Sequence, residues 1–418
     1  MKTYDLVVIG GGSAGMAAAV TAYDQGIKSI LILEKDENLG GILLQCIHSG
    51  FGLQEFKEQL SGPEYAERFA TQVKERNIEY KLQTVVLHID SDKKVYYSNS
   101  MDGYQVIQAN AIILAAGCSE RNRGAISIPG DRCSGVMTAG IAQRYLNIDG
   151  YIAGKKVFIL GSGDIGLIMA RRMTLEGAKV LGVAELMPYS NGLSRNIAQC
   201  LNDFNIPLYL SHTVTKIIGK GRLEAIEISQ VDEKFNPIAG TEKRFDVDTL
   251  LLSIGLVPAN ELLDDINIKN NPRTRGAFVN ESMETEVPGI FSCGNVLHVH
   301  DLVDFVTNEG RKAGNSAAKY LKGALIETSD AIICNPGNGI GYIVPGKIRL
   351  VNVDMSVKLN FRVRQPFHDV WLIVKMDGAV IRKIKKPHML PAEMETLEIK
   401  KELLTNPNGV LSVEVSNE

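Results

Sequence analysis

The chain has 418 residues and a formal net charge of −3, long enough for two or three domains with proper cores. Charge near balance and the lack of a basic stripe argue against nucleic acid or an anionic membrane as partner. No uninterrupted apolar stretch approaches about 18 residues, so no transmembrane segment is expected.

Tyr4-Asp5-Leu6-Val7-Val8-Ile9 reads as an apolar strand starting too early to leave room for a signal peptide. Gly10-Gly11-Gly12-Ser13-Ala14-Gly15 follows and opens an alanine-rich helix over residues 13–25, terminated by Gly26. The next strand, residues 30–33, ends at Glu34. A glycine-flanked segment over 39–52 and a helical region through Glu75 come next. Alternating apolar residues from Thr84 to Ala115 mark short strands, with Asp102-Gly103 as a hairpin turn. The last of these strands, 111–115, ends at Ala116-Gly117.

The plan then repeats. Residues 156–160 form a strand, Gly161-Ser162-Gly163-Asp164-Ile165-Gly166 opens a helix over 164–176, and the strand 180–185 ends at Glu185. Strands broken at Gly219 and Gly221 are expected between 209 and 231. Thr249-Leu250-Leu251-Leu252-Ser253-Ile254-Gly255 closes this unit as 111–117 closes the first. Residues 287–296 form a strand-like segment through Gly294-Asn295, before a helix from Leu302. Beyond residue 325, alternation over 348–363 and 369–384 indicates a small β-rich domain. The expected fold is α/β, with two Rossmann-like, doubly wound, three-layer dinucleotide-binding domains, inserted β-meanders and that C-terminal domain. The expected boundaries are 1–120 with 256–325, 121–255, and 326–418.

Both glycine runs fit G-x-G-x-x-G. The first glycine permits the tight turn, the second a close approach to pyrophosphate, and the third helix–strand packing. Gly10, Gly12, Ser13, Ala14 and Gly15 form one candidate pyrophosphate site; Gly161, Gly163, Asp164, Ile165 and Gly166 form the other. Glu34 and Glu185 each fall 24 residues after the first glycine of their run, placed to accept from a ribose hydroxyl. A carboxylate there repels a 2′-phosphate, and the next basic residue after Glu185 is Arg195, so the second site reads as NAD(H) rather than NADP(H). Two such sites on one chain suggest electron transfer between two dinucleotides. The six cysteines, Cys46, Cys118, Cys133, Cys200, Cys293 and Cys334, are scattered without C-x-x-C; they fit a reducing cytoplasm and no zinc cluster.

Five landmarks in order resemble the two-dinucleotide-binding-domain flavoproteins, the group of pyridine-nucleotide:disulfide reductases, NADH oxidases and ferredoxin reductases. They are Gly10–Gly15 with Glu34, Ala115-Ala116-Gly117, Gly161–Gly166 with Glu185, Ile254-Gly255-Leu256-Val257-Pro258, and Gly289-Ile290-Phe291-Ser292-Cys293-Gly294-Asn295. The resemblance implies FAD on the first domain and a nicotinamide dinucleotide on the second. Lys35, Gly41, Ala116, Gly117, Gly294 and Asn295 join the FAD residues, and Gly255 the NAD residues. The family's Gly-Asp is here Gly294-Asn295, which accepts from the ribityl chain through an uncharged carbonyl oxygen. The helix from Leu302 is expected to aim its positive end at the flavin.

More narrowly, residues 40–52 and 161–172 resemble bacterial oxidoreductases similar to hydrogen-cyanide-synthase and opine-oxidase subunits. These accompany a glycerol-3-phosphate-dehydrogenase-like flavoprotein and a small cysteine-rich subunit, so such partners, or a homodimer, are implied alongside NADH and an unidentified electron acceptor. The leading expectation is an FAD-dependent NADH:acceptor oxidoreductase; the alternatives are a redox subunit of a glycerol-3-phosphate or amino-acid/opine dehydrogenase and a single-cysteine disulfide, persulfide or peroxide reductase. The reductases' C-x-x-x-x-C is reduced here to Cys46, with His48 two positions on, too close in register to face it on a helix. His298 and His300 form His-x-His beside Asp301 and Asp304. No third ligand is evident, so no metal is expected, and His298 joins Cys46 and His48 as a candidate catalytic residue.

Overall fold

The apolar runs at the head of each half become parallel strands buried on both faces; every residue of Ile30–Leu33 and of Thr249–Leu252 is buried. A computed structural model describes residues 1–417. The chain forms two units, one from Met1–Cys118 with the chain from Pro258 onward, the other from Ser119–Val257.

In the first unit a seven-stranded sheet runs Glu79–Lys81, Ile30–Leu33, Thr3–Ile9, Gly103–Leu114, Lys94–Asn99, Val85–Ile89, with Ile290–Ser292 added beside Gly103–Leu114. Val7 pairs with Leu31 on one side and Ile112 on the other, and Phe291 pairs with Ile113. Gly103–Leu114 is one 12-residue strand, longer than the sequence suggests. One end runs antiparallel to Lys94–Asn99, and the other parallel to Thr3–Ile9. The helix Gly62–Glu75 starts on a capping box of Ser61 and Glu64. The helix Ser13–Asp24 meets the closing helix Val303–Leu321 through backbone. A Cβ on Gly310 would lie 2.3 Å from the Ala14 carbonyl oxygen, and one on Gly314 2.2 Å from that of Ala18. This contact explains why the first helix is alanine-rich.

From Ile332 the same unit continues into two further sheets with a core of their own, including Ile343, Phe361, Val374, Leu411 and Val413. One sheet holds Ile332–Pro336, Val410–Ser416, Phe367–Met376 and Ala379–Met389, edged by Lys347–Ile348; the other holds Ile340–Val344, Ser356–Val363 and Glu395–Lys400.

The second unit carries a parallel sheet in the order Val136–Thr138, Thr249–Leu252, Lys156–Leu160, Lys179–Glu185, Leu208–Leu210. A three-stranded antiparallel sheet, His212–Lys220, Arg222–Gln230 and Lys243–Asp246, accompanies it. One expectation is corrected here. Gly219 does not break a strand but sits inside His212–Lys220 at a register shift, and Gly221 alone, at φ +81°, makes the turn.

Candidate cofactor sites

Each fingerprint is a turn that only a bare backbone can make. Gly10 has φ +106°, and a Cβ there would lie 2.4 Å from the Ala115 carbonyl oxygen. Gly161 has φ +98°, with the Ser253 oxygen at 2.1 Å. The expected carboxylates close both turns in the same way. Glu34 Oε2 accepts from the Gly11 N–H at 2.6 Å and Oε1 from Asp36 N–H at 2.8 Å. Glu185 Oε2 accepts from the Ser162 N–H at 2.9 Å and its hydroxyl at 2.6 Å, and Oε1 from Met187 N–H at 2.9 Å. Both carboxylates are buried, and each keeps lone pairs for a ribose hydroxyl. The duplication read from the spacing therefore extends to individual hydrogen bonds.

The helices behind these turns start at Gly12 and Gly163 without a side-chain cap, leaving first-turn N–H groups for an anion. No atom lies within 4 Å of a Cβ built on Gly12, so there is open space above it. Gly41 folds back toward this turn, its Cβ position 3.4 Å from Gly12 Cα. Ala116 and Gly117 follow the strand that ends beside Gly10, whereas Lys35 is exposed. At the second turn Gly166 N–H is taken by Ser253 Oγ at 3.0 Å. The Asp164 side chain is tied to the segment that follows Glu185. Its Oδ1 accepts from Leu193 N–H at 2.9 Å and Asn196 Nδ2 at 2.7 Å, anchoring the segment after Glu185. The Gly255 carbonyl accepts from Arg121 N–H at 3.0 Å.

Gly294 brings the late turn against the first fingerprint, its Cβ position 2.9 Å from Ala14 Cβ. Asn295 Oδ1 accepts from His300 N–H at 3.0 Å. That backbone donor selects the amide oxygen as its partner. The oxygen expected to accept from a ribityl chain is thus already engaged by one backbone N–H. Behind the turn sits a group the sequence did not assemble. Glu309 accepts from Gly294 N–H at 2.7 Å, and contacts His298 Nε2 at 2.9 Å and His300 Nε2 at 3.1 Å. Burial pushes Glu309 upward, but the two imidazoles outweigh it and hold the carboxyl well below the usual range. Burial also lowers His298, which favours a neutral His298 ring donating Nε2–H to the carboxylate.

Glu309 is the third ligand type missing beside His-x-His, and the three donor atoms lie within 4.8 Å of one another. The paired distances are nevertheless those of hydrogen bonds, and the carboxylate also holds a backbone N–H, so the trio is satisfied at these atoms without an ion. His298 is fully buried, and its Nε2 contacts Glu309. The one sequence clue to Glu309 is an acidic residue on the buried, glycine- and alanine-rich side of a helix.

A family model of pyridine nucleotide-disulphide oxidoreductases matches residues 4–317. The chain belongs to this family. The hydrogen cyanide synthase subunit HcnB of Pseudomonas protegens is 24% identical over 314 residues, 69% of this chain and 65% of HcnB. An NADH oxidase of Methanocaldococcus jannaschii is 27% identical over 320 residues, 72% of this chain and 64% of the oxidase. The chain thus spans less than two thirds of either protein. The solved thioredoxin reductase of T. acidophilum superposes with a TM-score of 0.62 at 23% identity, over 76% of this chain and 99% of that one. The fold is that of a two-domain Rossmann flavoprotein, and membership of the family implies a bound FAD beside a pyridine nucleotide.

The cradle fits that cofactor. The open space over Gly12, the uncapped N–H groups of Ser13 and Ala14, and the Glu34 lone pairs would hold a dinucleotide's pyrophosphate and ribose. Cys46 follows a short 3-10 turn, Gly41–Gln45, and its thiol donates to the Ile42 carbonyl at 3.3 Å. Burial pushes the Cys46 thiol up to about 12, far from a thiolate at neutral pH. His48 lies with its ring 5.1 Å from that of Phe51. No helix among the described residues is long and apolar enough to cross a membrane.

Proposed function

We propose that the chain is an NADH:acceptor oxidoreductase, delivering electrons from a nicotinamide through FAD to a partner subunit, oxygen or a small acceptor. The duplicated turn-and-carboxylate geometry at Glu34 and Glu185 carries this reading. When bound, FAD supplies the two-electron chemistry. The protein's part is to bind and orient: the two turns grip pyrophosphates, and the carboxylates select unphosphorylated ribose. Glu185 supports NAD(H), since a buried carboxylate held by three donors repels a 2′-phosphate, and Leu186-Met187-Pro188 offers no cation beside it.

Anaerobic titration of the purified holoprotein tests this. Flavin absorbance is expected to bleach with NADH at concentrations at least about tenfold below those of NADPH, about 1.4 kcal/mol of discrimination. A flavin that stays oxidised under excess NADH overturns the reading.

A second reading, a redox subunit of a multi-subunit dehydrogenase, is supported by the likeness to HcnB, itself a subunit by name. Co-purification with a partner flavoprotein or a small cysteine-rich chain tests it. A reductase working through Cys46 is disfavoured by the raised thiol. Cys46→Ser is expected to reduce its flavin with NADH within about twofold of the wild-type rate, a difference under 0.5 kcal/mol, as stopped-flow absorbance would show.

A further inference from the structure

The C-terminal domain is bonded to the loop between Gly294-Asn295 and the closing helix. Arg362, on the strand Ser356–Val363, donates from Nη2 to the Val299 carbonyl at 3.0 Å and forms an ion pair with Asp301. Its Nη1 donates to the Pro391 carbonyl at 3.0 Å, which fixes the guanidinium within its own domain. The other oxygen of Asp301 accepts from Met394 N–H at 2.7 Å. Tyr342 of the same domain sets its ring edge-on to His298, at 5.9 Å and 85°. The loop is therefore held from inside by Glu309 and from outside by Arg362, Met394 and Tyr342. Asp301 directly precedes Leu302, the N-cap of the 19-residue closing helix, and no side chain caps that helix. Asp304, in its first turn, instead accepts from Glu55 N–H at 3.2 Å.

We propose that Arg362 and Asp301 are positioning residues by which the C-terminal domain tunes the flavin, an inference that rests on FAD occupying the first domain. The uncapped helix end favours negative charge nearby, and bound FAD gains negative charge on reduction. Asp301 stands at that helix end as an opposing charge, and Arg362 neutralises it. The pair is three-quarters or more buried, with side-chain exposures of 18% and 14%, so its field is weakly screened. Removing the cation exposes the carboxylate's field to the flavin; removing the carboxylate leaves a cation.

The experiment is a flavin midpoint potential, measured by dye-coupled anaerobic titration of holoprotein, beside FAD affinity of the deflavinated chain. Arg362→Met is expected to disfavour reduced flavin about tenfold, a shift of about 30 mV to more negative potential for a two-electron couple. Asp301→Asn is expected to move the potential the opposite way, and the double variant to return near wild type. A purely structural role lowers stability in both single variants without shifts of opposite sign. Arg362→Lys keeps the charge and is expected to stay within half the Arg362→Met shift, which provides a folded control. Single variants that retain flavin at the wild-type potential overturn the inference and leave the FAD assignment standing. Wild-type protein that takes up no FAD overturns both.

Discussion

Gly12→Val is expected to give a folded but colourless protein. Gly12 sits at φ −75°, ψ −172°, extended backbone that a β-branched residue readily adopts. Its Cβ position has no neighbour within 4 Å, so valine meets no protein atom at that point. The new methyl groups instead occupy the space over the helix N-terminus where a pyrophosphate would lie. FAD affinity is expected to fall at least about 100-fold, about 2.7 kcal/mol. The far-UV circular dichroism should match that of wild-type apoprotein, and the melting temperature should fall only to the apoprotein value, because ligand stabilisation is lost by mass action. Flavin absorbance per chain is the measurement, and a yellow, stoichiometric variant would remove the first fingerprint from FAD binding. Gly15→Ala tests the opposite case. Its Cβ would lie 1.9 Å from the Gly10 carbonyl oxygen, so that variant loses the turn itself.

Glu309→Ala is expected to destabilise the chain by about 3 kcal/mol or more, read as a lowered urea midpoint. The carboxylate serves Gly294 N–H and both imidazoles in a space closed to water, and truncation leaves these donors buried without their acceptor. Glu309→Gln keeps one carbonyl oxygen for Gly294 and should cost about half as much. The pH dependence has a definite sign. Glu309 is held below its ordinary value in the folded chain, so its stabilisation is full above the unfolded glutamate value of about 4.3 and is lost as pH falls below that. Wild type and Glu309→Ala should therefore differ most near neutral pH and converge in acid; a gap that widens in acid would refute the assigned charge.

The parts of this molecule legible in sequence are those whose partners lie on one strand–turn–helix unit. Glu34 and Glu185 are legible because the turn fixes their distance from the glycines, and the closing strands because runs buried on both faces are apolar throughout. The Glu309 trio was not legible. His298 and His300 sit on an irregular loop, and only the direction in which that loop meets the helix brings Glu309 between them. Asp164 is a related case: Leu193 and Asn196 fold over to engage its Oδ1, and no spacing in the sequence announces them. Arg362 and Asp301 lie 61 positions apart, one on a strand and the other on a loop, and no periodicity links them. Asn295 departs from the family's aspartate, and nothing in the spacing announces that its amide oxygen meets the His300 N–H.

The direct backbone contact of Gly310 and Gly314 with the first helix has a consequence for biosynthesis. Ser119–Val257 is one continuous stretch of chain, complete as soon as it leaves the ribosome. The sheet begun by Thr3–Ile9 cannot be finished until Ile290–Ser292 and the closing helix have been made. The segment translated first is thus among the last to reach its final packing. A nascent chain stalled once residue 257 has cleared the ribosome, and before Ile290–Ser292 has emerged, should protect the second unit from protease while the alanine-rich helix remains exposed to cleavage.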